Sequence, residues 1–552
     1  MSIFSDDTQP ATLVLTRASS STSVGELVSF RQTYKPSFKL TPILLQTVVT
    51  IAFGSGLMFG YNLNIANNCE KVLKTHVNES IFLQYGSYLS QSSLDRFWLV
   101  ATSVLPVGAI IGCFLSNFIA HKLGRKQILL LNNAIGVLGS VVQIWSAASR
   151  YVELFILGRF ITGIYCGFIA TTAPVYLNEI SHVAQKGYIG STFQLSSVLG
   201  TALALFLGLP QVLGSKQYVV FLFVIPMVVA VLQSLMLHFC PESPRFLLLF
   251  KSDPFGAMTS LRAFRNCPDV SEDLAEIDNE VLQNSEDTMN QNRARRVLRF
   301  KQIICKPNLR KMLLICICLH ASQNLTGMNV MVSYSESFLE KIVNKNFDSG
   351  LWNSIIYSSL IPFTVLSTLL VEHIGRRFLH ISGLIGVTLG SILVTAALFD
   401  SHVEHHLVSK TLLISGLSIF MLFYALGPGT IPWLMVPELV PSSARSTVNS
   451  VATMANFALS LTLALLAAPF KQYIGNNVFF VFIVSTVAIG VFLYFVLPET
   501  KGKTSDDILI AAGERGFEVQ CCCKSEWMGF SRNHLDRDNE LSLHEADEQP
   551  LF

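Results

Sequence analysis

An all-α, polytopic membrane protein is the fold class this sequence predicts, and three observations predict it. Hydrophobic residues make up 51% of the 552 and charged ones only 14%, too few to solvate a soluble protein of this size. Apolar runs of about 20 residues, the length that crosses a bilayer as helix, occur twelve times. The halves of the chain also repeat each other. "LGRK" at 123–126 answers "IGRR" at 374–377, Glu179 answers Glu438, and "PESPR" at 241–245 answers "PETKG" at 498–502. All three offsets lie between roughly 250 and 260 residues, the mark of two parallel six-helix repeats with a substrate site near the midplane between them.

The elements follow in order. Residues 1–40 are polar and rich in Ser and Thr, with no cleavable leader, so they read as a cytosolic tail before an uncleaved first span. Spans at 43–66, 97–119, 127–148, 153–176, 190–212 and 218–238 build the first bundle, residues 41–240. Spans at 311–335, 351–372, 378–399, 411–436, 446–469 and 478–497 build the second, residues 311–497. Residues 241–310 between them are charged. "SEDLAEIDNEVLQN" sets Leu274, Ile277, Val281 and Leu282 at helical spacing, and "RARRVLRFKQII" is basic. Short amphipathic helices beneath the membrane domain are expected there, rather than a solvated linker. Residues 498–552 form a second cytosolic tail, whose end, "DNELSLHEADEQPLF", has the composition of disorder.

Charge orients the spans. "HKLGRK" at 121–126, "HIGRR" at 373–377 and the long linker are all basic, and short basic loops stay in the cytosol. Both termini are therefore expected in the cytosol. The sequon Asn78-Glu79-Ser80 then falls outside and is the expected glycosylation site; Asn324-Leu325-Thr326 lies inside a span and is unusable. Of eleven cysteines only Cys69 falls in an outer loop, which excludes an extracellular disulfide. Cys521–Cys523 in the tail are either palmitoylated or plain reduced thiols.

The polar residues inside the spans are neutral. No Asp or Glu stands at the middle of any span, and no carboxylate pair, Ser/His set or metal-ligand cluster is evident. No enzyme activity, cofactor, metal or nucleic-acid partner is expected. Amides are present instead: Gln194 in the fifth span, Gln323, Asn324 and Asn329 in the seventh, Asn456 in the eleventh. An amide both donates and accepts, without the cost of an ion in lipid, so the set fits a polyhydroxylated ligand. Interhelical glue is the plainer reading. Gln323 and Asn329, six apart on one helix, would differ by about 120° in direction and flank one side. His320, the one mid-span imidazole, is expected to be a satisfied structural residue.

"YALGPGTIPWLMVPEL", residues 424–439, is apolar yet interrupted by Gly427, Pro428, Gly429 and Pro432. Proline removes a backbone donor, and irregular backbone at membrane depth survives only against protein or a wet cavity. A hinge is expected there. Trp433 beside it either lays its apolar ring on a ligand and offers one N–H donor or belongs to an interfacial belt.

The motifs "GRK", "LGRFITGIYCG" (157–167), "PVYLNEI" (174–180), "CPESPRFLL", "GRR", "GPGTIPW" and "LPETKG" closely resemble those of the facilitative glucose transporters, sugar porters of the major facilitator superfamily, over residues 42–509. The resemblance implies the major facilitator fold. It also implies a hexose site formed by Gln194, Gln323, Asn324, Asn329, Trp433 and Asn456. It implies a cytoplasmic ion-pair network of Arg125, Arg159, Glu179, Arg245, Arg376, Glu438 and Arg445 that closes the inner side. Lys126 and Arg377 either join it or serve as positive-inside markers, and Lys186 stands where the family usually has arginine. Several positions depart from the glucose-transporting pattern: Ala425 for a buried glutamate, Leu360 for an asparagine, Ser333 for the first of two tyrosines, Phe457 for a tryptophan, and "HAS" at 320–322 for "QLS". Trp433 leans toward glucose. Asn62 after "FGY" replaces the aspartate of proton-driven relatives. A plasma-membrane D-glucose uniporter is the expectation; a fructose or broad hexose/polyol uniporter, a proton-coupled symporter and a non-transporting sugar sensor are the other readings.

Overall fold

The computed structural model describes residues 40–149, 151–286, 300–332, 349–400, 406–503 and 508. The first bundle consists of α1 (Pro42–Asn64), α3 (Gln91–Leu123), α4 (Arg125–Ala148), α5 (Glu153–Ile180), α6 (Lys186–Leu207) and α7 (Val219–His238), with α2 (Glu70–Tyr85) in the connection after α1. The linker carries α8 (Pro244–Leu249), α9 (Pro254–Arg265), α10 (Ser271–Glu286) and α11 (Phe300–Cys305). The second bundle consists of α12 (Pro307–Leu325), α13 (Ser349–Ile374), α14 (Arg376–Asp400), α15 (His406–Leu426), α16 (Ile431–Leu439), α17 (Ser442–Pro469) and α18 (Val478–Val496).

Among the described residues, eleven helices are long and apolar enough to cross a membrane. Phe114, Phe118, Leu235, Phe378 and Phe495 all point outward and are more than half exposed, a surface suited to lipid and not to water. The expected seventh span departs from a single continuous helix: α12 stops at Leu325, Gly327 sits at φ 74, and helix resumes at Met328. Glycine takes that left-handed backbone without steric cost. The break cancels the angular argument for Gln323 and Asn329, which no longer share one helix. The second span starts at Gln91 because the Ser90 hydroxyl caps it, accepting from Ser93 N at 3.3 Å.

Close packing comes from small residues. A Cβ on Gly108 or Gly112 of α3 would sit 2.3 Å from the carbonyl oxygens of Phe160 and Ile164 on α5, so those backbones touch as small-residue seams in membranes do. In the linker, Ile277 of α10 is buried with Leu248, Ala257 and Leu261, and Leu274 packs against them; the side chains of Val281 and Leu282 lie outside those described. Two seams join the bundles, α6 along α13 and α3 along α17.

Candidate functional site

The break between α15 and α16 satisfies its own backbone. Gly429 N donates to Tyr424 O (2.8 Å), Thr430 N and Ile431 N donate to Gly427 O (3.2 and 3.0 Å), and the Thr430 hydroxyl donates to Ala425 O (2.7 Å). Gly427 packs against Gly383 of α14, where a Cβ would come within 2.8 Å of the Gly383 Cα. One freed carbonyl, Gly429 O, accepts from Gln323 Nε2 at 3.3 Å.

Gln323 is the centre of a three-amide knot. Asn456 Nδ2 on α17 donates to Gln323 Oε1 (3.0 Å) and to His320 O (3.1 Å), while Asn324 Nδ2 donates to Asn456 O (3.1 Å). Asn329 lies beyond the break and accepts from the Tyr357 hydroxyl at 3.5 Å. Gln194 lies on α6 of the other bundle, and its side-chain amide has no hydrogen-bond partner among the described residues. It follows Phe193, whose ring lies 5.3 Å from that of Trp433. Trp433 is nearly enclosed: Phe59 stands edge-on at 5.5 Å and His320 at 4.8 Å. Its indole thus belongs to α16 but is packed by residues of the first bundle, with Phe457 completing the cluster against Phe59 at 6.3 Å.

His320 corrects an expectation. It is fully buried, yet neither ring nitrogen has a hydrogen-bond partner among the described residues. Of the departing positions, Leu360 and Ala425 are buried and apolar, and Ser333 lies outside the described residues.

The charged residues form two matching cages at one end of the molecule. Arg125 Nη2 donates to Glu179 Oε1 (2.9 Å), and Ser243 Oγ donates to Glu179 Oε2 (2.6 Å). Glu242 Oε1 accepts from the backbone N–H groups of Arg125 and Lys126 (2.9 and 3.1 Å), anion binding at a helix N-terminus. Burial pushes the Glu242 carboxyl above its ordinary range, against the pull of those N–H groups and Arg125. In the second half Arg376 reaches Glu438 Oε1 (3.3 Å), Thr500 Oγ1 donates to Glu438 Oε2 (2.7 Å), and Glu499 accepts from the N–H groups of Arg376 and Arg377 (3.0 Å each). Gly124 and Gly375, at φ 86 and 102, admit these carboxylates: a Cβ would lie 2.6 Å from Glu242 Oε2 and 2.8 Å from Glu499 Oε2.

Among the contacts that link the halves at this end or just above it, the Tyr188 hydroxyl and His373 Nε2 lie 3.4 Å apart. Arg445 Nη1 approaches Glu179 Oε1 at 4.0 Å, Arg245 Nη1 donates to Ser442 Oγ (3.0 Å), Gly187 N donates to Glu372 Oε1 (2.5 Å), and Asn449 Nδ2 donates to Thr171 O (2.9 Å). Glu372 also holds Arg376 through both oxygens at 2.9 Å. Sequence reading gave Glu372 no role, although its spacing four residues before Arg376 is the signal of a helical ion pair.

Arg159 is a correction. It lies 20 positions before Glu179 on α5, about 30 Å away at the helical rise, and its Nη1 donates to Asn62 O at 3.0 Å near the far end of α1. It belongs to the opposite end of the molecule and not to the cages. Asn78 lies on α2, where its Oδ1 accepts from Leu89 N (2.8 Å) and Ser80 is buried.

Comparison with known proteins agrees with this architecture. The family model "Sugar (and other) transporter" matches residues 47–510. The chain is 34% identical over 480 residues to the facilitated glucose transporter member 1 of Gallus gallus, covering 85% of this chain and 93% of that protein. It is 31% identical to member 3 of Homo sapiens, covering 87% and 94%. Its fold matches that of the major facilitator proton:xylose symporter XylE bound to 6-bromo-6-deoxy-D-glucose, with a TM-score of 0.72 at 18% identity over 86% of this chain and all of that one. Helices with lipid-suited exteriors, paired bundles and a match over most of its length make the chain an integral membrane transporter, not an enzyme, and a member of the sugar transporter family.

Proposed function

We propose that the chain is a facilitative hexose uniporter with D-glucose as its principal substrate, working by alternating access in the plasma membrane with both termini in the cytosol. The observation that carries this reading is the neutral amide knot of Gln323, Asn324 and Asn456 on the freed carbonyl of the α15–α16 break, beside an aromatic residue gripped by the other bundle. Those amides bond one another or a neighbouring backbone carbonyl, so a sugar hydroxyl entering exchanges one neutral hydrogen bond for another. Weak binding follows, and it suits a carrier: a millimolar dissociation constant is only about −4 kcal/mol, within reach of a few bonds worth roughly 1 kcal/mol each. The free amide of Gln194 supplies the opposite wall, and Gly427, Pro428, Gly429 and Pro432 form the hinge that moves Trp433.

Uncoupled transport is supported at Asn62, whose amide does not titrate and whose carbonyl is held by Arg159. The proton-coupled reading draws only on a distant fold likeness. Asn78 is the glycan acceptor, and because Ser80 is buried, transfer precedes closure of α2.

Counterflow of labelled glucose against fructose in proteoliposomes tests the substrate: glucose is expected to drive it more strongly. Gln194→Ala and Asn329→Ala are expected to cut uptake with surface expression intact, and normal uptake in both removes the amide site. Uptake is expected to be indifferent to external pH; an alkaline shift accompanying sugar influx would establish symport instead.

A further inference from the structure

The seam between α6 and α13 is pinned at both ends. At the end bearing the cages, Gly187 N donates to Glu372 Oε1. Eighteen residues along each helix, about 27 Å away, Leu205 and Ser354 lie at the other end. There Asn68, just after α1, spans the two bundles. Its Nδ2 donates to Leu205 O of its own bundle at 2.8 Å, and to Gly350 O (3.1 Å) and Ser354 Oγ (3.2 Å) of the opposite one.

An amide NH2 carries two hydrogens. Leu205 O takes one at the shortest of the three distances. The second is shared by Gly350 O and Ser354 Oγ, which are themselves bonded at 2.8 Å. Asn64 Nδ2 steadies the same end of α1 on Thr201 Oγ1 of α6 at 3.1 Å. Separating the bundles at this end therefore breaks only the second bond and leaves Asn68 anchored to its own side, poised to re-form it.

We propose that Asn68 is the outer clasp of the α6–α13 seam, the counterpart of the Glu372–Gly187 contact at the inner end, and that the two open alternately. The assignment of a transport role rests on the reading above; the clasp itself rests on the contacts. Its removal favours the form open on the outer side, and removal of Glu372 favours the other.

The test uses the full chain in nanodiscs with genetically encoded spin labels at Tyr218 and Ile355, exposed residues near the outer ends of α7 and α13. Asn68→Ala and Asn68→Asp both lack the donor hydrogens. Each is expected to raise the separated population in the distance distribution roughly three- to tenfold, the range one neutral hydrogen bond commands. Ser354→Ala, which leaves Gly350 O in place, is expected to change it by less than about twofold. An unchanged distribution in both Asn68 variants overturns the proposal. In proteoliposomes, Asn68→Ala is expected to lower the half-saturation concentration for glucose influx and raise that for efflux, with Glu372→Ala doing the reverse, because apparent affinity scales with the population of the competent state. Movement of both constants in one direction in Asn68→Ala also overturns it. If the unmodified protein carries no hexose while the distances still respond, the clasp stands and the hexose reading fails.

Discussion

His121 and Glu372 occupy equivalent places in the two halves, each four residues before the arginine that opens α4 or α14. In the first half, Arg125 has one acid, Glu179, and lies over the rings of Phe246 and Phe250 at 5.4 and 5.3 Å. The His121 ring rests on Phe250 at 5.5 Å. In the second half, Arg376 has two acids, Glu372 and Glu438. The Arg376 guanidinium thus holds one carboxylate more than that of Arg125. That surplus is what reaches Gly187 in the other bundle. Two cages from one repeated pattern thus tie the bundles unequally: the first meets the other bundle through Glu179, 4.0 Å from Arg445, the second through the closer Gly187–Glu372 contact.

The largest expected effect tests the count of acids. Arg376→Ala deprives two carboxylates of their shared arginine, buried Glu438 and half-buried Glu372, and removing one partner of a buried pair costs about 3–5 kcal/mol. Arg125→Ala leaves Glu179 with the Ser243 hydroxyl and Arg445 at 4.0 Å. Arg376→Ala is therefore expected to lower the thermal midpoint in detergent further than Arg125→Ala; the opposite order would show that the aromatic faces matter more than the extra acid. A smaller effect separates stability from gating. Glu372→His installs the first half's residue in the second and removes a charge-assisted bond worth about 1.5–3 kcal/mol. It is expected to change the ratio of influx to efflux half-saturation constants, while a change confined to the melting midpoint would make Glu372 purely structural.

Gly124 and Gly375 probe where the halves are alike. Alanine at either must hold positive φ and meet a carboxylate oxygen inside 3 Å. Strained backbone of this kind costs about 1–3 kcal/mol, and the two substitutions are expected to lower the midpoint equally. Unequal losses would mean that the seats of Glu242 and Glu499 are not equivalent.

Much of this is legible in the sequence alone. The spans and the repeat follow from hydropathy and motif spacing, which tertiary context does not overwrite. The break at 427–430 is legible because two glycines and a proline leave helix no alternative, whereas Gly327 is a lone glycine within its span, and a lone glycine is usually tolerated in helix. Arg159 is not legible as a residue of the far end from its charge alone. A charge near a span end is cytosolic only where the direction of the span puts that end there, and α5 runs from Glu153 toward the cage at Glu179. The link from Gln323 to Asn456 needed only polar residues in apolar helices to be suspected. Asn68 gave no such signal: it sits in a short connection, and only the meeting of α6 with α13 reveals its partners.

The smallest effects come from the two hydroxyls that hold the cage acids. Ser243 Oγ donates to Glu179 and also accepts from Phe246 N at 3.2 Å, capping α8. Thr500 Oγ1 donates to Glu438 and has no capping duty among the contacts described. Thr500→Val keeps the shape and loses one bond to a charged acceptor, about 1.5–3 kcal/mol at most. Ser243→Ala loses the equivalent bond and the cap, a further ~1 kcal/mol. The Ser243 variant is thus expected to melt a few degrees below the Thr500 variant, measured side by side in one detergent. Equal midpoints would place the whole value of Ser243 in the carboxylate it holds, making the two cages energetically alike in every part but the acid at 372.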